Sequence, residues 1–353
     1  MDLKSPSDRS TPAVLTPPKG RPRVAEPVSL DLSILIVSYN TCSLLRQCLR
    51  SIFSKDQDVS FEVIVVDNAS ADGTPEMVAS EFPEVRLLKN SENVGFSVAN
   101  NAAMDCSRGR CVLLLNSDTI LVPGTLGSML EVMDQDKSIG IAGCRLVRPS
   151  GEMDLACRRS FPTPMVSLSR FLRLNRLFPK HKLFGRYNLT YLDECGRYEV
   201  DSIVGAFMMV RREVVEQVGG LDEDYFMYGE DVDWCFRIQR AGWKVMYVGD
   251  CTTYHYKGAS SRKESFRMNY HFHRAMFLFH RKHLRQRYAV PVSIAVYVGI
   301  AARFSLLVLN HYVSRGITGL RSFIRNAFAG ERASLDDVAP IPDTVAPEGP
   351  REA

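Results

Sequence analysis

The sequence predicts an α/β fold, a sheet of buried strands covered by helices and followed by a basic, partly apolar helical region. Two observations lead there. Short runs rich in Val, Ile and Leu recur at 33–39, 62–67, 85–89 and 111–116, each followed by turn residues and a helical pattern, as expected of a parallel sheet covered on both faces. The runs also end in polar clusters, and ligands of open α/β sheets lie beyond the carboxyl ends of the strands.

The first run ends in Ser38, Tyr39 and Asn40 before a helix starting near Thr41. By themselves these residues read as a helix cap. Their place on the rim makes them candidate nucleotide contacts. The second run ends in Asp67, followed by Asn68, Ala69, Ser70, Ala71, Asp72, Gly73 and Thr74. A carboxylate at a strand tip can accept the imide N–H of a uracil or thymine base, whereas Asp72 and Thr74 suit an Asx turn. The third loop holds Asn93 and Gly95, which can start a helix. Asn100 and Asn101 follow inside that helix, where Asn is a poor helix former, and a ribose or sugar contact would explain them.

The fourth run leads into Asn116, Ser117 and Asp118. Mg²⁺ commonly takes one or two carboxylates together with substrate phosphates, which suits Asp118. A plain turn ahead of Pro123 is the alternative. Asn116 is neutral where a second carboxylate is expected, so it would reach the metal through water or touch the ribose. Further on, Glu230 and Asp231 open a helix that stops near Gly242. Acidic residues suit a helix N-terminus, which accounts for Asp222 and Asp233. Around Glu230 and Asp231, however, stand Tyr225, Phe226, Tyr228 and Trp234, whose desolvation favours the neutral form of one carboxyl and leaves one of the pair as a base. A strand at 244–250 then leads to His255, whose neutral imidazole can complete a divalent-metal shell with Asp118, although a lone histidine is commonly structural.

The segments VDNASADGT, NVGFSVANN, LLLNSD, VGAFMMVRR, GGLDEDYFMYGEDVDWCFR and YHYKGASS, in this order, resemble blocks of the inverting family-2 glycosyltransferases with the Rossmann-like GT-A fold, especially rhamnosyltransferase-like members. The resemblance spans about 33–261. It implies a nucleoside-diphosphate sugar donor and a divalent cation, Mg²⁺ or Mn²⁺, as cofactor. It also implies Asp67 as base-binding, Asp118 as the metal end of an Asp-x-Asp motif, Asp231 as catalytic base with Glu230 in support, and His255 as a second metal ligand. Ser38, Tyr39, Asn40, Asn93, Gly95, Asn100, Asn116 and Ser117 complete the nucleotide-sugar set. Asn116 departs from the strict Asp-x-Asp pattern. No Gln-x-x-Arg-Trp follows Arg237, which argues against a processive synthase.

Composition agrees with this reading. A net charge of +4 over 353 residues gives no overall basic field, so nucleic acid is not an expected partner. Nine scattered cysteines form no Cys-x-x-Cys knuckle, which argues against a disulfide framework and favours the cytoplasm. The expected division is a disordered Pro-rich tail at 1–29, a catalytic domain at 30–261, a basic helical region at 262–330 and a disordered tail at 331–353. The helical region interleaves Arg and Lys with Phe, which suits an anionic membrane surface. The apolar run that follows is interrupted by Arg303, so peripheral attachment to the inner face of the plasma membrane is expected, with a marginal span near 288–309. A second basic stretch, with Arg170, Arg173 and Arg176 among Leu168, Phe171, Leu172 and Leu177, reads equally as a lid over the acceptor or as a helix packed on the core.

Both basic regions suit a glycan or polyprenyl-diphosphate-linked acceptor. The donor expected from the resemblance is deoxythymidine-diphosphate rhamnose, with a uridine-diphosphate hexose or galactofuranose as alternatives. A nucleotidyltransferase would show a glycine-rich basic loop near the start, which SILIVSYNTCS lacks. A catalytically silent nucleotide- or glycan-binding protein would not need Asp118, Asp231 and His255 together.

Overall fold

The computed structural model describes residues 30–54, 59–256 and 265–333, with side chains from 314 onward left undescribed. The N-terminal tail, most of the C-terminal tail and residues 257–261 of YHYKGASS therefore lie outside the described residues.

The apolar runs become strands close to their expected limits: β1 (Leu32–Ser38), β2 (Phe61–Asp67), β3 (Arg86–Lys89) and β4 (Cys111–Asn116). They pair in parallel in the order β3-β2-β1-β4. Ile34, Leu35 and Ile36 are consecutive and all fully buried, so both faces of β1 are covered, which is why the run is continuously apolar instead of alternating. Crossovers are made by α1 (Cys42–Ile52), α2 (Thr74–Glu81) and α3 (Phe96–Cys106), and β5 (Thr119–Leu121) and α4 (Thr125–Gln135) follow β4.

Beyond β4 the sheet is mixed and not wholly parallel. β6 (Ile139–Val147) leaves the sheet for a long excursion that carries β7 (Arg158–Arg159), α5 (Pro164–Phe171), α6 (Leu174–Leu177), β8 (Arg197–Glu199) and β9 (Ser202–Ile203). The chain returns as β10 (Phe207–Arg211), which runs antiparallel between β4 and β6. A strand entering from the carboxyl edge has to run backwards through the sheet, and so the turn at its start sits on the ligand-binding rim. After α7 (Arg212–Val218) and α8 (Glu230–Arg240), β11 (Lys244–His255) runs parallel to β6, pairs with β5 and β8, and carries a register shift between Val248 and Thr252. The chain ends in α9 (Ser265–Phe279), a π turn at His280–Leu284, and α10 (Val290–Ala333), which passes the start of the expected C-terminal tail.

One glycine fixes how the rim closes. Gly95 has φ +90°, and a Cβ there would lie 2.6 Å from the Phe226 carbonyl oxygen, because the loop before α8 packs onto the start of α3. Phe96 N–H donates to that same oxygen at 2.7 Å. Gly95→Ala is therefore expected to cost about 1–3 kcal/mol, read as a lower urea midpoint, and an unchanged midpoint would show that the contact gives way freely.

Candidate active site

The tips of the parallel strands are in register. Ser38 on β1 lies opposite Asp67 on β2, and Val37 lies opposite Asn116 on β4, so the first, second and fourth loops leave the sheet at one level. Ser38 Oγ lies 2.9 Å from Thr41 Oγ1, which donates to Ser117 Oγ at 3.0 Å and joins the first loop to the fourth. Thr41 precedes α1 without capping it by its side chain. Instead Asp72 Oδ2 accepts the Cys42 N–H at 2.9 Å.

Asn40 sits at φ 53°, a left-handed conformation that Asn tolerates. Its N–H donates to Ser70 Oγ and its Oδ1 accepts the Ala71 N–H, so it clasps the first loop to the second. Asn93 does the same for the third loop: its Oδ1 accepts from Gly95 N–H at 3.1 Å and Asn68 Nδ2 at 3.3 Å. Asn101 ties α3 to the loop at Leu221 through both its oxygen and its amide nitrogen. These three asparagines hold loops together. Tyr39, half-buried on the first loop, makes no side-chain hydrogen bond or ring contact among the described residues.

Two rim acceptors behave differently. Asp67 Oδ2 takes the Ser70 N–H at 2.9 Å, but Asp67 Oδ1 is buried without a partner. Asn100 donates to the Phe96 carbonyl while its own Oδ1 is buried and unpartnered. A buried acceptor left unsatisfied is costly, which marks both atoms as candidates for an N–H or O–H of a ligand.

Asp118 and His255 meet. The antiparallel pairing of β5 with β11 sets His255 opposite Thr119, and His255 Nε2 comes 3.2 Å from Asp118 Oδ1 and 3.5 Å from Asn116 Nδ2. The backbone reinforces this, with Tyr256 N–H donating to the Asp118 carbonyl at 2.8 Å. Behind the ring, Asp154 Oδ2 lies 3.4 Å from His255 Nδ1. Burial alone would lower the His255 pKa, yet the Asp118 and Asp154 carboxylates outweigh it and raise the value. Asp154 is a residue that sequence reading missed, because it lies far along the chain in the excursion after β6.

Glu230 and Asp231 stand at the N-terminus of α8 and are both buried. Arg159, also missed, donates to Asp231 Oδ2 at 2.6 Å, and Gly205 N–H reaches the same oxygen at 3.3 Å. Asp231 Oδ1 accepts the Val232 N–H. Glu230 Oε2 is buried without a partner, and burial, then the neighbouring Asp231 charge, push its carboxyl up to about 8. The sign for stability follows. Native Glu230 holds its proton more tightly than the unfolded chain does, so its contribution is fully present below the unfolded value and is lost as pH rises through about 8. Glu230→Gln should flatten the decline of the urea midpoint between the ordinary carboxyl range and about pH 8, and an unaltered decline there would remove Glu230 as its source.

The metal-type pair and the acid pair share one rim. Gly205 bonds Asp231, and the carbonyl of the next residue, Ala206, accepts the Asn116 N–H at 3.1 Å. A single dipeptide at the start of β10 thus separates them. Asp222 and Asp233 serve elsewhere: Asp233 stands in the first turn of α8, where an acid was expected, whereas Asp222 lies in the loop before it and not at a helix end. Asp233 binds Arg237 Nε at 2.8 Å and His283 Nε2 at 2.5 Å, and Asp222 pairs with Lys282.

The sheet and the rim at the carboxyl ends of its parallel strands are those of a glycosyltransferase with the Rossmann-like GT-A fold. The chain belongs to glycosyl transferase family 2, whose description matches residues 33–219; residues 191–271 also match the N-terminal domain of galactosyltransferase. It is a glycosyltransferase of glycan biosynthesis. It is 28% identical over 292 residues to an N-acetylglucosaminyl-diphospho-decaprenol L-rhamnosyltransferase of Mycobacterium tuberculosis, covering 78% of this chain and 92% of that one. It is 27% identical over 225 residues to the low-salt glycan biosynthesis hexosyltransferase Agl10 of Haloferax volcanii, covering 63% of this chain and 64% of that one. Among solved structures, a mannosyltransferase of Pyrobaculum calidifontis, in complex with GDP-Man and Mn²⁺, aligns over 84% of each chain with TM-score 0.49 and 19% identity.

Proposed function

We propose that this enzyme transfers rhamnose from deoxythymidine-diphosphate rhamnose to a polyprenyl-diphosphate-linked sugar, with inversion at the anomeric carbon. The supporting observation is Asp231: a buried acid, fixed on one oxygen by Arg159 and Gly205, one dipeptide away from the Asp118–His255 pair. The relative from Mycobacterium tuberculosis supports the choice of donor and acceptor. A second reading, a uridine-diphosphate hexose as donor, is favoured by the galactosyltransferase match at 191–271.

In this reading Asp67 Oδ1 accepts the base's imide N–H and Asn100 Oδ1 a ribose or sugar hydroxyl, which satisfies both orphan atoms. Asp118 and His255, with Asn116 alongside, would hold a Mg²⁺ or Mn²⁺ ion. Among the described residues no group of three or more His, Cys, Asp or Glu side chains is placed to bind a metal unaided, so such an ion would need donor phosphate oxygens or water to complete its shell. Bound there, the ion would act as a Lewis acid on the departing diphosphate. Asp154 positions the His255 ring from behind. Asp231 takes the proton of the acceptor hydroxyl as that oxygen bonds to the anomeric carbon and the bond to the diphosphate oxygen breaks. Arg159 balances the Asp231 charge and fixes its orientation, while Glu230, protonated at neutral pH, adds no second negative charge beside it.

The C-terminal region would bring the site to the membrane. Within α10, the 24 residues Val290–Val313 are long and apolar enough to cross a membrane, and their most apolar 18-residue window has mean hydropathy 2.1 and is only 6% buried. It is proposed to attach the enzyme to the cytoplasmic leaflet. The cations of α9 and of the turns that follow it contribute less than their number suggests. Lys282 and Arg274 are bound to the Asp222–Asp224 turn, and Arg267 and Arg287 lie over Phe226 and Phe236.

The test is incubation of the purified full chain with Mg²⁺ or Mn²⁺, a polyprenyl-diphosphate-linked N-acetylglucosamine and a panel of nucleotide sugars. Nucleoside-diphosphate release and the anomeric configuration of the product are then measured. Release from a uridine-diphosphate hexose alone would replace the donor, and a retained configuration would end the single-displacement reading.

A further inference from the structure

A second concave site lies away from the acids. α5, α6 and α10 enclose a cleft of about 590 Å³ lined by Arg170, Arg173, Arg176 and Arg303, with Asn175 and Asn310 as further polar groups. None of the four arginines has a carboxylate partner among the described residues. Arg170 instead lies 4.3 Å from the centroid of the Tyr187 ring, and Arg303 5.7 Å from that of Phe272. Four like charges gathered in one hollow without counter-charge repel one another, and the arrangement is relieved by an anion.

The surroundings say how that anion arrives. Phe171, Leu172 and Leu177 are 60%, 53% and 69% exposed on the same two short helices, and the opposite wall, with Leu306 and Leu307, belongs to the 24-residue apolar stretch of α10. This settles the status of the helix that read equally as lid or as core: its apolar side chains are not packed into the core. Cations ringed by exposed apolar groups suit a phosphate carried on a lipid. Charge count then separates the candidates, because a phosphodiester headgroup offers a single negative charge, whereas a diphosphate offers more charge and more acceptor oxygens to several forked guanidiniums. The cleft also adjoins the base: Tyr187, under Arg170, accepts the Ser160 N–H at 2.9 Å, and the preceding residue, Arg159, holds Asp231.

We propose that the arginine cleft between α5, α6 and α10 binds the diphosphate of a polyprenyl lipid and so holds the acceptor's anchor while its sugar reaches Asp231. This rests on the acceptor class proposed above. Arg170, Arg173 and Arg176 are positioning residues, acting on the lipid and not on the reacting atoms.

The experiment compares binding of the full chain to phosphatidylcholine vesicles that contain polyprenyl diphosphate, or phosphatidylglycerol at equal surface charge, or neither. The wild-type chain is expected to prefer the diphosphate vesicles by about tenfold over the phosphatidylglycerol ones, and a combined Arg170→Gln, Arg173→Gln, Arg176→Gln variant should lose that preference. The same variant should raise the KM for the lipid-linked acceptor by about tenfold while leaving the donor KM and the slow transfer of sugar to water unchanged. Equal binding to both anionic vesicles, or an acceptor KM that ignores the arginines, would overturn the proposal. All three side chains are exposed, and if circular dichroism shows the triple variant misfolded, Arg176→Gln alone should still raise the acceptor KM and not the donor KM. Arginine-dependent binding of the diphosphate without any sugar transfer to lipid would defeat the acceptor reading and leave the cleft standing. Transfer that is insensitive to the arginines would do the reverse.

Discussion

Asp231→Asn is expected to lower the rate of sugar transfer by about a hundred to ten thousandfold, the range that a positioned general base contributes. The change keeps the size of the side chain and a hydrogen-bonding oxygen for Arg159 and Gly205, but it removes the counter-charge of the buried Arg159 guanidinium, so the urea midpoint of the variant is measured beside its rate. It also removes the capacity to take a proton. Donor binding, followed by titration with the nucleotide sugar, should be unaffected because Asp67 and Asn100 lie on other loops. Turnover near the wild-type rate would refute the assignment of Asp231 as base. Removing Arg159 would give a less clean answer, since it leaves a buried carboxylate without its partner, at a cost of about 3–5 kcal/mol in stability.

The second large effect is expected at Asp118. Asp118→Ala deletes the one carboxylate on the fourth loop and leaves His255 facing an empty side. If a bound cation supplies about 4 kcal/mol to the departing diphosphate, transfer should fall by roughly a thousandfold and respond little to added Mn²⁺. Asp154→Asn, which only reorients the ring of His255, should instead weaken the apparent metal affinity by about ten to a hundredfold, with activity recovering at high metal concentration. Full activity of Asp118→Ala in the presence of EDTA would exclude the cation site.

Much of this was legible in the sequence where the signal is local. Continuous apolar runs gave β1 to β4 nearly residue by residue, and β4 ends at Asn116 as expected because the polar turn after it cannot be buried. The strand-tip rule placed Asp67, Asp118 and His255 on one rim, since each follows a strand. The acid pair was marked by its aromatic setting, and burial does raise the carboxyl of Glu230. Long-range pairings were another matter. Arg159 and Asp154 lie in an excursion whose residues look like ordinary surface charge, and only folding reveals that they back Asp231 and His255. The antiparallel course of β10 was hidden for the same reason, as a buried apolar strand reads alike in either direction. Asn40 and Asn93 were expected to meet the nucleotide. Their side-chain oxygens are spent on neighbouring backbone amides, a choice between ligand and loop that composition cannot reveal.

The bond from His283 to Asp233 matters for anyone who would shorten this chain. Asp233 is wholly enclosed and lies in the same first turn as the acid pair, and one of its two side-chain partners, His283, comes from the π turn behind α9. Phe279 and Leu284 from the same region close over Val232 and Phe236 on that helix. A cut near 261 would strip this cover, wet the first turn of α8 and leave Asp233 with Arg237 as its remaining side-chain partner. The region proposed to reach the membrane thus also packs behind the proposed base, and a truncation would remove both together.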